Sequence, residues 1–153
     1  MAGQYLKTHF TPEVFAAQEH YYGQPQLIPA QPERDPLTDE ETELIARRDS
    51  FYMATVTSDG WPYMQHRGGP AGFLKVLDQQ TLGFADFKGK RQLLSTGNLA
   101  ASDRVSLFLM DYPRRERLKI LGHARVLDAR AHADLTQRVQ SQLMIKPRLN
   151  ASS

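Results

Sequence analysis

Phe51-Tyr52-Met53-Ala54-Thr55-Val56-Thr57-Ser58-Asp59-Gly60-Trp61-Pro62-Tyr63-Met64-Gln65-His66-Arg67 is the stretch that decides the fold. Phe51 to Thr57 is rich in β-branched and aromatic residues, as a strand requires, and Ser58-Asp59-Gly60 is a turn signal. Trp61 to Arg67 reads as the returning strand, so the segment predicts an antiparallel hairpin. Downstream, Gly68-Gly69-Pro70-Ala71-Gly72 interrupts the pattern before Phe73 to Leu77 resumes it. Asp78-Gln79-Gln80 marks a turn, Thr81 to Asp86 a further strand, and Lys90 to Leu94 a short helix that ends by Gly97. Arg104 to Asp111 and Arg117 to Leu127 complete the set, joined by Tyr112-Pro113-Arg114-Arg115-Glu116. At least five short strands, mostly in hairpins with one inserted helix, favour a small barrel over a doubly wound parallel sheet.

Upstream of the hairpin the sequence is helical. Thr11-Pro12-Glu13 places an N-cap before a proline at the first helical position, and Gly23 stops the helix after Tyr22. Pro25, Pro29, Pro32 and Pro36 make an extended connector. Thr38-Asp39-Glu40-Glu41 fits a capping box, opening a helix that ends near Arg48 and turns Leu44 and Ile45 inward. The predicted organisation is a helix and proline-rich linker over 1–37, a barrel domain over 38–143 and a tail over 144–153. Ala129 to Leu143 has helical composition, whereas the tail has little periodicity and is expected to be disordered.

The 153 residues suit one domain that needs no staple. The chain has no cysteine, which excludes disulfides, zinc–thiolate sites and a cysteine nucleophile. Its five histidines lie far apart without metal-ligand spacing, and no Gly-x-Ser-x-Gly elbow is present. With 19 basic and 17 acidic residues, the charge is too balanced to argue for nucleic acid. No apolar run reaches the ~20 residues needed to span a bilayer, and the polar N-terminus does not read as a secretory signal. The expectation is a cytoplasmic protein with neither membrane nor nucleic-acid partner.

Three basic clusters carry the candidate chemistry. In Gln65 to Gly72, Arg67 offers a planar fork suited to phosphate beside three glycines. A β-bulge with a solvated arginine is the alternative. Asp86-Phe87-Lys88-Gly89-Lys90-Arg91-Gln92 puts cations where a helix opens, a position that favours an anion, or simply a solvated basic turn. Arg114, Arg115, Arg117, Lys119 and Arg125 follow. If Arg117 and Lys119 alternate with Leu118 and Ile120, both cations share a strand face, which suits an anionic ligand or charged protection of an edge. Trp61 reads chiefly as a packing residue, and His66 is either packed or near a ligand.

The series Phe51-Tyr52-Met53-Ala54-Thr55, Asp59-Gly60-Trp61-Pro62, Gln65 to Gly69, Gly72 to Asp78, Asp86 to Gln92, Gly97-Asn98-Leu99 and Leu118 to Gly122 resembles the flavin-nucleotide-binding branch of the pyridoxamine 5′-phosphate oxidase superfamily. The resemblance covers residues 40 to 128. It implies a mainly β protein with flanking helices: a six-stranded FMN-binding split β-barrel, forming a homodimer with FMN between subunits. It further implies FMN contacts from Arg67, Gly68 and Lys75, a phosphate turn at Lys90, Arg91 and Gln92, and a contribution from Asn98. Arg117 and Lys119 would face the flavin from the partner subunit. The implied function is an FMN-dependent oxidoreductase acting on a small-molecule redox substrate, with no catalytic residue assigned and no metal. The alternative is a non-catalytic module that stores or senses flavin or haem. The C-terminal Trp and Arg region of the vitamin oxidase has no counterpart here, and branch members continue some way further with another strand. Either this barrel is one strand short or Arg138 to Leu149 supplies that strand.

Overall fold

A computed structural model describes residues 2–28, 35–85, 94–127, 131–139 and 145–150. Three helices come first: α1 (Ala2–His9), α2 (Pro12–Tyr22) and α3 (Asp39–Ala46). The sequence reading did not anticipate α1. The helix signals at α2 and α3 are used as written. Thr11 Oγ1 accepts from the Val14 N–H, and Gly23 closes α2 at φ 81° with its N–H on the Glu19 carbonyl. At α3 the capping box is complete, with Glu41 N–H donating to Thr38 Oγ1 at 3.2 Å and Thr38 N–H to Glu41 Oε2 at 3.0 Å.

The rest is one antiparallel sheet of seven strands with helices α4 (Leu94–Ala101) and α5 (Ala133–Val139). The strands are β1 (Ser50–Val56), β2 (Pro62–Gly68), β3 (Lys75–Asp78), β4 (Thr81–Ala85), β5 (Arg104–Asp111), β6 (Glu116–Val126) and β7 (Ile145–Asn150), in the order β2-β1-β5-β6-β7-β4-β3. Alternation sends Phe51, Met53 and Thr55 of β1, Val105, Leu107 and Leu109 of β5, and Leu118 and Ile120 of β6 to one buried face. Both edges carry features that discourage further pairing. Pro62 opens β2, and the four-residue β3 has a register shift between Val76 and Asp78.

The sheet is curled. Three strands lie between β1 and β4, which would put them about 19 Å apart in a flat sheet. Yet Phe51 of β1 meets Phe84 of β4 with ring centroids 5.1 Å apart, and Phe73 stacks on Phe51 at 5.5 Å. The two ends of the sheet therefore face each other across the main core, which Leu37, Leu44 and Ile45 cap from the α3 side, while Ala85 and Val139 centre a smaller cluster beside α5. Among the described residues no ladder joins β2 to β3, so the barrel is open along that seam. The sheet has seven strands, one more than the six the resemblance implied.

Two further expectations change. The stretch read as an aperiodic tail contributes β7, which pairs with both β4 and β6, so of the two alternatives the one in which the chain's own C-terminal residues supply the further strand holds. Its pairing comes from distant strands, which local periodicity does not report. Of the short helix expected at Lys90 to Leu94, residues 90–93 lie outside the described residues; from Leu94 the chain is helical as α4, which does not stop at Gly97 but runs through it to Ala101. Tertiary contacts hold α4 on β1 and β6, and they outweigh the glycine signal.

Candidate functional site

Arg67 stands opposite Phe51, and Gln65 opposite Met53, in the β1–β2 ladder. Directly paired residues share a face, so both polar side chains lie on the core side of an edge strand. That placement suits a residue with an apolar stem and a charged head. The Arg67 guanidinium carbon sits 5.6 Å from the centroid of the Phe84 ring, within cation–π range. Arg67 Nη2 donates to Gln65 Oε1 at 3.0 Å, and Ser95 Oγ donates to the same oxygen at 2.9 Å. Ser95 is the buried second residue of α4. One turn later, Asn98 Nδ2 donates to Thr55 Oγ1 at 2.9 Å, which fixes α4 to the fully buried Thr55 of β1. α4 thus makes two separate polar contacts, Ser95 with the Gln65–Arg67 pair beside the Phe84 ring and Asn98 with Thr55.

The glycines beside Arg67 serve packing. A Cβ on Gly69 would stand 2.8 Å from Cγ of Phe73, and the Gly69 N–H bonds the Asp49 carbonyl at 2.9 Å. Gly72 has φ 80° and bonds Arg48 O. The loop is stitched to the end of α3 and closes over Phe73. Gly68 ends β2 opposite Ser50 and is exposed.

The other anticipated residues are distributed as follows. Lys75 pairs with Gly83, whose own Cβ position faces Leu77 and Val139, so alternation puts Lys75 on the α5 side of the sheet, away from Phe84. Lys90, Arg91 and Gln92 lie outside the described residues. Arg117 and Lys119 are exposed while Leu118 and Ile120 are buried, so the two cations share a face as the alternation suggested. It is the outer face of the sheet, where Lys119 Nζ lies 5.7 Å from the Tyr5 ring centroid of α1. Within one chain, Arg67 reaches α4 through Gln65 and Ser95, Asn98 bonds Thr55 separately, and Arg117 and Lys119 stand on the outer face. His66 also points outward, its ring 5.3 Å from that of Tyr52. Gln65 and Ser95 were not singled out as site residues. Gln65 could have been, two residues from Arg67 on a strand face, but Ser95 has no local signal.

Elsewhere the polar groups serve the frame. Arg48 pairs with the buried Asp111 at 2.7 Å and donates to the Met110 carbonyl, which ties the end of α3 to β5. A hydrogen bond from His123, at 3.0 Å, holds the Asp103 carboxyl below its ordinary range. The Tyr112 phenol is raised by its hydrogen bond with Tyr52. Among the described residues no three His, Cys, Asp or Glu side chains gather as a metal site, and no helix is long and apolar enough to cross a membrane.

Known proteins agree with this architecture. A Lactobacillus delbrueckii protein described as a pyridoxamine 5′-phosphate oxidase candidate superposes with TM-score 0.58 at 24% identity, covering 77% of this chain and 91% of that one. HupZ of Group A Streptococcus gives TM-score 0.56 at 16% identity, covering 76% and 90%. A Clostridium acetobutylicum protein related to general stress protein 26, of the pyridoxinephosphate oxidase family, gives 0.53 at 14% identity, covering 73% and 81%. At these identities the likeness concerns the fold. No curated protein matches the chain in sequence. The family model described as pyridoxamine 5′-phosphate oxidase matches residues 37–152, from the residue before the capping box through β7, and the chain belongs to that family.

Proposed function

We propose that this protein binds FMN and works as a flavin-dependent oxidoreductase on a small-molecule substrate. The observation that carries the reading is the Arg67–Gln65–Ser95 contact, a guanidinium tied through a glutamine to a helix in a protein of this family. The donors proposed for a phosphate monoester are a planar fork from Arg67 and the exposed backbone at Gly68 beside it, with the Asn98 amide on α4. Lys90, Arg91 and Gln92 are proposed to add the phosphate turn that the resemblance implies. Lys75, on the other side of the sheet, is a weaker member of this set.

Two copies of the chain are proposed to complete the site. Arg117 and Lys119 then reach the flavin from the partner, since within one chain they face away from Arg67. The outer face that carries them also bears Met64 and Tyr112, each 66% exposed, a surface that suits a second copy. The bound flavin would supply the hydride or electron transfer. The residues around Arg67 are binding and orienting groups, so no catalytic acid or base is assigned. A module that holds flavin without turnover uses the same groups and is separated by activity, whereas one that holds haem is separated by its absorption spectrum.

The test is the absorption spectrum of the purified protein, then anaerobic addition of NADH or NADPH. Flavin bands that bleach and return with oxygen support an oxidoreductase. A flavin that stays oxidised with every donor supports the storage or sensing reading. A protein that neither carries nor takes up flavin overturns both flavin readings.

A further inference from the structure

We infer that helix α1 is a displaceable cover over β6, and that its Tyr5 competes with the flavin of a second copy for Lys119. The inference rests on the reading in which Arg117 and Lys119 reach the flavin of the partner, and it deepens that reading by giving the site a regulator within the chain. The register of the sheet places the parts. His66 stands opposite Tyr52, Tyr52 opposite Phe108 and Phe108 opposite Lys119, so the four share one row across the outer face from β2 to β6. Helix α1 packs against β6 at the Lys119 end of this row. Its Tyr5 and Leu6 are half-buried while Lys7, Thr8 and His9 are exposed, so the Tyr5 side is the one turned to the sheet. His9, one turn on, sets its ring 4.3 Å from that of Tyr5, and the Tyr5 ring lies 5.7 Å from Lys119 Nζ.

Three features set α1 apart from the frame. It lies outside residues 37–152, which match the family, and neither Tyr5 nor Leu6 belongs to the core clusters. The α2 that follows buries no residue, with Tyr21 and Tyr22 76% and 84% exposed, so it adds little to hold α1 in place. The contact is also weak by nature: an exposed cation–π pair shifts an equilibrium by only a few-fold, whereas a lysine that meets an anion gains a charge-assisted contact. An ammonium turned to the Tyr5 ring is not turned to a ligand on a neighbouring chain, and α1 stands where that chain must approach β6. Tyr5 therefore holds Lys119 while no flavin nucleotide is near and yields it when one binds.

The experiment is a titration of FMN into the full chain as wild type, Tyr5→Ala, Tyr5→Leu and Tyr5→Trp, with a melting curve for each. Alanine and leucine remove the ring, whereas tryptophan keeps one that holds a cation best of all. Without the ring, FMN should bind about two- to fivefold more tightly, the share that an exposed cation–π pair can withhold. Tyr5→Trp should bind FMN no more tightly than wild type. Ringless variants that bind FMN as wild type does, or more weakly, overturn the inference and leave the flavin reading standing. A gain that Tyr5→Trp shares also overturns it, because the ring is then not what competes. A wild type that takes up no FMN fails the flavin reading, and the inference with it. If Tyr5→Ala does not fold, Tyr5→Leu, which keeps an apolar side chain on α1, carries the same test.

Discussion

At the scale of single residues, the loop after β2 shows how a signal that suggests a ligand can be explained by packing. Phe73 is buried, stacked on Phe51 and edge-on to Phe84, so its ring has nowhere to move. Gly69→Ala would press a methyl onto that ring, since the Cβ position stands 2.8 Å from Cγ. We expect a loss of about 1–3 kcal/mol in chemical denaturation, the ordinary cost of overpacking a core. The exposed pair Asp103–His123 makes a prediction in pH. The folded carboxyl is held below its ordinary value by the histidine bond. Its contribution is therefore present above the unfolded carboxylate range and is lost as pH falls through the lowered folded value. The stability difference between wild type and Asp103→Asn should be visible at neutral pH and shrink in strong acid. A difference that grows on acidification would contradict this assignment.

At the scale of elements, what was legible depended on how local the cause is. The caps at Thr11 and Thr38 act within four residues, and both helices start where their sequences say. The β1–β2 hairpin and the β5–β6 pair also read correctly, because alternation and turn residues lie in the strands themselves. Two elements follow from contacts at long range. Strand β7 exists by pairing with β4 and β6, and α4 crosses Gly97 because Ser95 and Asn98 anchor it on β2 and β1. The site divides the same way. Arg67 was found from its own chemistry, whereas Ser95, brought from 30 positions away, carried no mark in the sequence. Gly97 remains a weak point in α4. A Cβ there would meet nothing within 4 Å, so Gly97→Ala should raise stability by about 0.5–1 kcal/mol through helix propensity. A melting temperature that falls instead would show that the glycine is required by contacts with a partner or ligand.

At the scale of the whole molecule, the curled sheet has an inner face that makes the core and an outer face that is only partly covered. Tyr52, Phe108, Met110 and Leu121 are half-buried there, with Met64, Tyr112 and Trp61 more exposed, at 66%, 66% and 71%. If two copies meet on this face, Met64→Asp should shift sedimentation from dimer toward monomer. FMN affinity should fall with it, because Arg117 and Lys119 of each chain would no longer reach the other's flavin. A variant that stays dimeric with full affinity would place the interface elsewhere. The family accounts for the architecture, but one family fold can host different ligands, so the cofactor rests on the site. The most direct measurement is a titration of FMN into wild type and Arg67→Ala, followed by flavin fluorescence. The account predicts saturable binding by wild type, weakened about ten- to a hundredfold in the variant by loss of charge-assisted hydrogen bonds to the phosphate. Equal affinity in the two proteins, or no binding by wild type, would contradict it.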